Sequence, residues 1–206
     1  KDSKAMHPRE MLRAIENALP KNSIVSTDIG NICSVSNSYL RFDEPRSMLA
    51  AMSFGNCGYA FPVAVGAKIA SPNRPVFAYV GDGAWGISLN ELLTCAREKI
   101  GVTVILFNNG QWGAEKKNHV DFYSRRYQGV ELVNPSWAAV AKSFGCEGVT
   151  VDKVGDIGAA IQAAVKNQAE GKTTVIEMMV TKELGDPFRR DALSKPVRHL
   201  EKYKSF

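Results

Sequence analysis

Between Val76 and Phe107 the chain passes from an apolar run through a glycine-bounded turn to a helix-period segment and then to a second apolar run, and few folds accommodate that succession. Val76–Val80 reads as a buried strand, Gly81-Asp82-Gly83 as a tight turn, Ile87–Lys99 as an amphipathic helix and Val102–Phe107 as the next strand, running into Asn108-Asn109. Strand, helix, strand is a βαβ unit, whose two strands run parallel because the crossover helix brings the chain back to the same end of the sheet. The same alternation extends along the chain. Pro8–Ala18 reads as a helix with proline in its first turn, ended by Pro20, and Ser23–Thr27 as the first strand. Asp28–Asn31 is a strand-to-helix loop, followed by a helix to about Leu40, a polar connection from Arg41 to Ser47, a glycine-rich segment from Ser53 to Gly58 and a small-residue helix Phe61–Ala70. Beyond the central unit, Gly110–Pro135 reads as irregular and too long for a simple connection. Helices Ser136–Phe144 and Ile157–Ala169 then bracket a strand at Gly148–Val151, and Thr173–Val180 is the last strand. The fold class expected is α/β, a parallel sheet with helices on both faces.

In such sheets the ligand crevice lies outside the carboxyl ends of the strands, where Asp82 and, twenty-seven residues on, Asn109 both emerge. Gly81-x-Gly83-x-x-Gly86 also matches a dinucleotide-binding loop, the reading of a nicotinamide-dependent oxidoreductase. Two details oppose that reading. Asp82 would repel a bare diphosphate, and the second strand ends in two asparagines instead of a ribose-binding acid. A carboxylate beside a diphosphate makes sense with a divalent cation between them. Magnesium takes six oxygens and combines one or two protein groups with phosphate oxygens, so Asp82, the Asn109 amide oxygen and a backbone carbonyl, assigned to Gln111, form the expected ligand set. The helix start after Gly83, with Ala84, offers N–H groups to the phosphates.

Composition excludes several alternatives. A chain of 206 residues with 45% hydrophobic and 23% charged residues is that of an ordinary globular domain. No apolar run approaches the roughly 20 residues that span a bilayer, so no membrane partner is expected. The amino terminus lacks the succession of a secretory signal. Cys33, Cys57, Cys95 and Cys146 are unevenly spaced without a C-x-x-C pair, which suits free thiols in a reducing cytoplasm. A net charge of +5 without an aromatic-interleaved basic run does not point to nucleic acid.

Gly81-Asp82-Gly83 followed at this interval by Asn108-Asn109 resembles the cofactor-binding signature of thiamine-diphosphate enzymes, and Gly55-Asn-Cys-Gly58-Tyr-Ala-Phe-Pro62 resembles the thiamine-holding loop of their decarboxylase and acetolactate synthase group. More narrowly, Gln111-Trp-Gly-Ala-Glu-Lys-Lys-Asn118, Asp121-Phe-Tyr123 and the tail from Gly185 to Arg198 are similar to the C-terminal third of the sulfoacetaldehyde acetyltransferases. The resemblance runs from about Met6 onward. It implies that thiamine diphosphate and Mg2+ are the cofactors, that the Gly55 carbonyl accepts a hydrogen bond from the aminopyrimidine, and that Cys57 stands where a side chain props the cofactor into its bent shape. Relatives usually carry methionine, isoleucine or leucine at that position, and cysteine is a smaller prop. Gly30 and Asn31 match loop residues that touch the diphosphate; as plain turn residues they would be unremarkable, and Gly55 and Gly58 by themselves suit a tight turn before the Pro62 helix.

The resemblance further implies a reaction of sulfoacetaldehyde with inorganic phosphate to give acetyl phosphate and sulfite, with acetolactate-synthase-like or sulfopyruvate-decarboxylase-like chemistry, or a non-catalytic domain of the same fold, as alternatives. Two anions then need cations, for which Lys116, Arg125, Arg189 and Arg190 are candidates, a solvated basic face being the plainer reading. Glu115 and His119 are the candidate proton-handling groups; Glu115 could equally pair with Lys116 or Lys117. Trp112 and Trp85 are candidates for pocket wall or core. The glutamate that drives the cofactor's tautomer change belongs, in relatives, to a separate pyrimidine-binding domain, and no segment here resembles it. The expected organisation is a linker at 1–7, a diphosphate- and Mg-binding domain at 8–184, and a tail at 185–206 packing on the domain or a neighbouring subunit. The chain is then the C-terminal part of a longer protein or a naturally split subunit, in a homo-oligomer with shared cofactor sites.

Overall fold

The computed structural model describes residues 5–182. Six parallel strands form one sheet in the order β2-β1-β3-β4-β6-β5. The strands are β1 (Ile24–Thr27), β2 (Met48–Ala50), β3 (Val76–Gly81), β4 (Thr103–Asn108), β5 (Glu147–Val151) and β6 (Thr174–Met179). The helices are α1 (Pro8–Ala18), α2 (Asn31–Ser36), α3 (Ala60–Ala70), α4 (Asp82–Ser88), α5 (Glu91–Glu98), α6 (Gly113–Phe122), α7 (Trp137–Ser143) and α8 (Ile157–Ala169), with a 3-10 turn at Val154–Asp156.

Alternate residues of each central strand enter opposite cores, as the pleat requires. Val76, Ala78 and Val80 with Val104 and Leu106 meet Phe61 of α3, Trp85 of α4 and Leu92 of α5 on one face. Phe77, Tyr79, Ile105, Phe107 and Met178 meet Met11 and Ile15 of α1 and Ile157 and Ile161 of α8 on the other. This double burial is why β3 and β4 read as continuous apolar runs, and the expected two-face α/β fold is the one observed.

The differences from the sequence reading have local causes. The Ile87–Lys99 helix is two helices: around Leu89-Asn90 the bonds tighten to i+3, from Leu92 N–H to Leu89 C=O at 3.0 Å and from Leu93 N–H to Asn90 C=O at 3.1 Å. Gly81-Asp82-Gly83 is not a free turn, since β3 ends at Gly81 and α4 begins at Asp82. The irregular stretch 110–135 contains α6, which buries no residue fully and so carries no apolar stripe to betray a helix. Strand β2 was not expected; three residues are too few to show a period. Ordered structure also begins before Pro8. Met6 is buried, its N–H donates to Met179 C=O at 2.8 Å and its C=O accepts from Thr181 N–H at 3.1 Å, so the linker assignment does not hold at that residue. No helix among the described residues is long and apolar enough to cross a membrane.

Candidate active site

The chain leaves β1 toward β2 on one side and returns through α3 to β3 on the other, so the sheet's order reverses between β1 and β3. The carboxyl ends of strands flanking such a reversal cannot be covered by the same connection, and a crevice opens there. A cavity of about 260 Å3 occupies this position. Gly30 and Asn31 reach it from β1, Gly81, Asp82, Gly83 and Ala84 from β3, Asn109 and Gln111 from β4, Gly55 and Cys57 from the glycine-rich loop, and Glu115 from α6. Eleven of the sequence-predicted site residues are thereby brought to one cavity. Lys116, His119 and Arg125 do not line it, and Arg189 and Arg190 lie outside the described residues.

Asp82 is buried at 3% exposure. Its Oδ2 accepts from Gly110 N–H at 2.8 Å and from Asn134 Nδ2 at 2.6 Å. Burial pushes its carboxyl above the usual range, while these donors and the N–H groups of Asp82 and Gly83 pull the other way. Asn109 Oδ1 accepts from Gln111 N–H at 3.2 Å, which folds the chain after β4 back toward Asp82. Both side-chain amide atoms of Gln111 are engaged elsewhere, Nε2 donating to Lys182 C=O at 3.2 Å and Oε1 accepting from Lys116 Nζ at 3.0 Å. The main-chain oxygen is what Gln111 can offer the cavity.

Asn31 shows most directly that the cavity suits a polar ligand. It is buried at 6% exposure, it lines the cavity, and neither its Oδ1 nor its Nδ2 has a hydrogen-bond partner. A buried amide left without partners costs roughly 1–3 kcal/mol per group, a cost that a polar ligand removes. No group of three or more His, Cys, Asp or Glu able to hold a metal occurs among the described residues. A cation here would rest on one carboxylate, an amide oxygen and a carbonyl, leaving positions for diphosphate oxygens and water, which is the sparse oxygen set that suits magnesium. The residues present therefore fit a magnesium-bound diphosphate.

Two glycines are needed for their size. A Cβ on Gly83 would stand 2.8 Å from the Trp112 ring, so the indole lies directly on the first turn of α4 and closes one side of the cavity. Gly58 has φ 82°, and a Cβ there would meet Ile87 at 2.9 Å, so the glycine-rich segment can sit against α4 only with glycine at that point. Trp85, in contrast, is core, fully buried with its ring 5.2 Å from that of Phe61.

Several residues important to this arrangement were not anticipated. Asp28 is buried and accepts from Ile29 N–H at 2.9 Å, Gly58 N–H at 3.1 Å and Ala60 N–H at 2.9 Å, so it fastens the loop carrying Gly55 and Cys57 to the end of β1. Its position just after a strand, like that of Asp82, was the available signal. Asn134 and Glu177 had none, being distant in sequence from the residues they serve. Cys57 is half-buried, and burial first, then the charges of Asp28 and Glu115, push its thiol up to about 11, so it is a neutral wall group. Lys116 ion-pairs with Glu131 and Lys117 with Asp121. His119 Nδ1 is buried without a partner, and its ring meets Tyr123 edge-on at 5.8 Å.

Residues 28–178 match the family described as thiamine pyrophosphate enzyme, C-terminal TPP binding domain. The chain belongs to this family. Among curated relatives of this domain, the sulfoacetaldehyde acetyltransferase of Alcaligenes xylosoxydans xylosoxydans is 61% identical over 202 residues, covering 98% of this chain and 34% of that protein. The sulfoacetaldehyde acetyltransferase of Castellaniella defragrans is 60% identical with the same coverage. The acetolactate synthase large subunit of Parasynechococcus marenigrum is 33% identical over 149 residues, covering 71% of this chain and 24% of that one. The chain thus spans about a third of the length of its acetyltransferase relatives. The thiamine diphosphate-dependent 4-hydroxybenzoylformate decarboxylase of Rhodococcus jostii RHA1 has the same fold, with a TM-score of 0.81 at 24% identity over 90% of this chain and 34% of that chain.

Proposed function

We propose that this domain supplies the magnesium and diphosphate half of the active site of a thiamine-diphosphate-dependent sulfoacetaldehyde acetyltransferase, which converts sulfoacetaldehyde and phosphate to acetyl phosphate and sulfite. The observation that carries the reading is the unpartnered Asn31 amide facing the same cavity as Asp82 and Asn109. The identity of about 60% with two sulfoacetaldehyde acetyltransferases supports the choice of substrate.

Asp82, the Asn109 amide oxygen and the Gln111 carbonyl would hold Mg2+, with Gly30, Asn31, Gly83 and Ala84 against the diphosphate. Gly55 and Cys57 would meet the thiamine end. Thiamine diphosphate, when bound, supplies a carbon nucleophile and an electron sink for chemistry at a carbonyl. This chain's residues bind and orient it, and the Trp112 indole over Gly83 screens one side from water. Glu115, at the cavity and close enough to Cys57 to raise its thiol, is the proposed proton-handling group, with His119 on the same helix a turn further on. No lysine or arginine lines the cavity among the described residues. Arg189 and Arg190 of the tail are kept in this reading as the groups that hold sulfonate and phosphate, whereas the Lys116 ammonium is drawn to Glu131. Arg125 is exposed. A pyrimidine-binding domain, from the rest of a longer chain or from a separate subunit, completes the site, in a cytoplasmic homo-oligomer.

The test is sulfite release by the full-length protein with Mg2+ and thiamine diphosphate. Release that depends on both sulfoacetaldehyde and phosphate supports the reading. Acetolactate formation from pyruvate without sulfite release would replace it with the acetolactate-synthase alternative, and failure to bind the cofactor would make this a non-catalytic domain.

A further inference from the structure

Asp82 is not held by main-chain groups alone. Behind it runs a chain of side-chain hydrogen bonds that crosses the sheet from β3 to β6. Asn134 Nδ2 donates one hydrogen to Asp82 Oδ2 at 2.6 Å and the other to Asn108 Oδ1 at 2.9 Å. Asn108 Nδ2 donates in turn to Glu177 Oε1 at 2.8 Å. Glu177 is 2% exposed in the middle of β6, and its second oxygen accepts from Thr150 Oγ1 at 3.0 Å and from Ala138 N–H, in the first turn of α7, at 3.2 Å. The direction of every bond is fixed by the two carboxylates at the ends. Each can only accept, so Asn108 must turn its amide nitrogen to Glu177 and its oxygen to Asn134, which leaves Asn134 as donor to both neighbours.

From this geometry we infer that Asn134 is a positioning residue for the cation site, orienting Asp82 so that its carboxylate faces the cavity, with Asn108 and Glu177 fixing the orientation of Asn134. The inference rests on the reading of Asp82 as a magnesium ligand. The loop that carries Asn134 is remote from the cofactor signature in sequence, and it is brought to Asp82 where the start of α7, just after it, docks on the buried glutamate of β6 through Ala138 N–H. Outer groups that orient a metal ligand typically change metal affinity 10- to 100-fold when altered. They do so without touching the metal.

The experiment uses the full-length protein, with Trp fluorescence following thiamine diphosphate binding as Mg2+ is titrated at fixed cofactor. Trp112 lies on the cavity wall and reports occupancy independently of turnover. Asn134→Ala should raise the Mg2+ concentration for half-saturation about tenfold, and Asn134→Asp, which sets a second carboxylate against Asp82, about a hundredfold. Saturating Mg2+ should restore kcat in Asn134→Ala, and the melting temperature of this variant without cofactor should stay within a few degrees of wild type. A purely structural asparagine would instead lower that melting temperature and leave the Mg2+ midpoint in place. If Asn134→Asp does not fold, Asn134→Ser at the same half-buried position is read in the same way. A wild-type Mg2+ midpoint in Asn134→Asp, with binding lost in Asp82→Ala, overturns this inference and leaves the reading of Asp82 intact. Unaltered Mg2+-dependent binding in Asp82→Ala overturns both.

Discussion

Asp28 closes β1 and Asp82 closes β3, the two neighbouring strands between which the sheet reverses its order. Both carboxylates are 3% exposed, and burial raises both above the ordinary aspartate range. Their surroundings differ. Asp28 is surrounded by main-chain N–H groups from its own loop and from the start of α3, and it does not line the cavity. Asp82 shares one oxygen between Gly110 and Asn134 and presents its carboxyl group to the cavity wall. One aspartate staples two loops together. The other is held in place by donors from behind, where a cation in front would relieve the desolvation that burial imposes on it. Position in the topology thus makes a carboxylate a candidate, and the number and direction of its donors decide which task it has.

The largest effect that tests this contrast is Asp82→Ala. Mg2+-dependent thiamine diphosphate binding by the full-length protein, followed by calorimetry, should fall by more than a hundredfold while the circular dichroism spectrum is unchanged. Binding at wild-type strength would remove Asp82 from the metal site and erase the distinction from Asp28. Asp28→Ala should do the reverse. Stripping Ile29, Gly58 and Ala60 N–H groups of their acceptor costs about 2–4 kcal/mol in urea unfolding once partial rescue by water is allowed for. Cofactor affinity should then weaken less than in Asp82→Ala, because only the placement of Gly55 and Cys57 is disturbed. A variant as stable as wild type would show that the staple is redundant.

A smaller effect tests the Asp28 side of the contrast through pH. Burial raises Asp28 in the folded state, so the folded protein holds that proton more tightly than the unfolded chain does. The stabilising contribution of this group is therefore fully present below the unfolded aspartate value and is lost as pH rises through the higher folded value. Relative to Asp28→Asn, whose amide does not titrate, wild type should gain stability as pH is lowered from 7 toward 4. Urea midpoints of the pair that keep a constant separation across that range would mean that Asp28 is not held up by burial.

How much of this was legible in the sequence follows from the range of the interactions. The sheet was legible because β3 and β4 are buried on both faces and read as nearly continuous apolar runs. Asp82 and Asn109 were legible because they follow those runs directly, and the topology then brings them to one cavity. Helix α6 was not, since its GAEKKNHVDF sequence has no apolar stripe. The Asp82–Asn134–Asn108–Glu177 chain was not, because it joins residues up to 95 positions apart through side chains that are unremarkable one at a time.

The smallest expected effect concerns Lys116, which the sequence offered as an anion-binding cation. Its Nζ is shared between Gln111 Oε1 and Glu131, and it stands 5.4 Å from the centre of the Tyr127 ring. Glu131 also receives Lys182 Nζ at 3.2 Å, and these two ammonium groups hold its carboxyl below the usual range. A lysine so engaged would have to break its ion pair before it could turn to a substrate anion, whereas exposed ion pairs of this kind contribute at most about 1 kcal/mol to stability. Lys116→Met in the full-length protein should therefore shift the melting temperature by no more than a few degrees and leave the KM for phosphate in sulfite release within about twofold of wild type. A rise of tenfold or more in that KM would put Lys116 back among the anion-binding groups, and would mean that the Glu131 pair opens when the rest of the site is assembled.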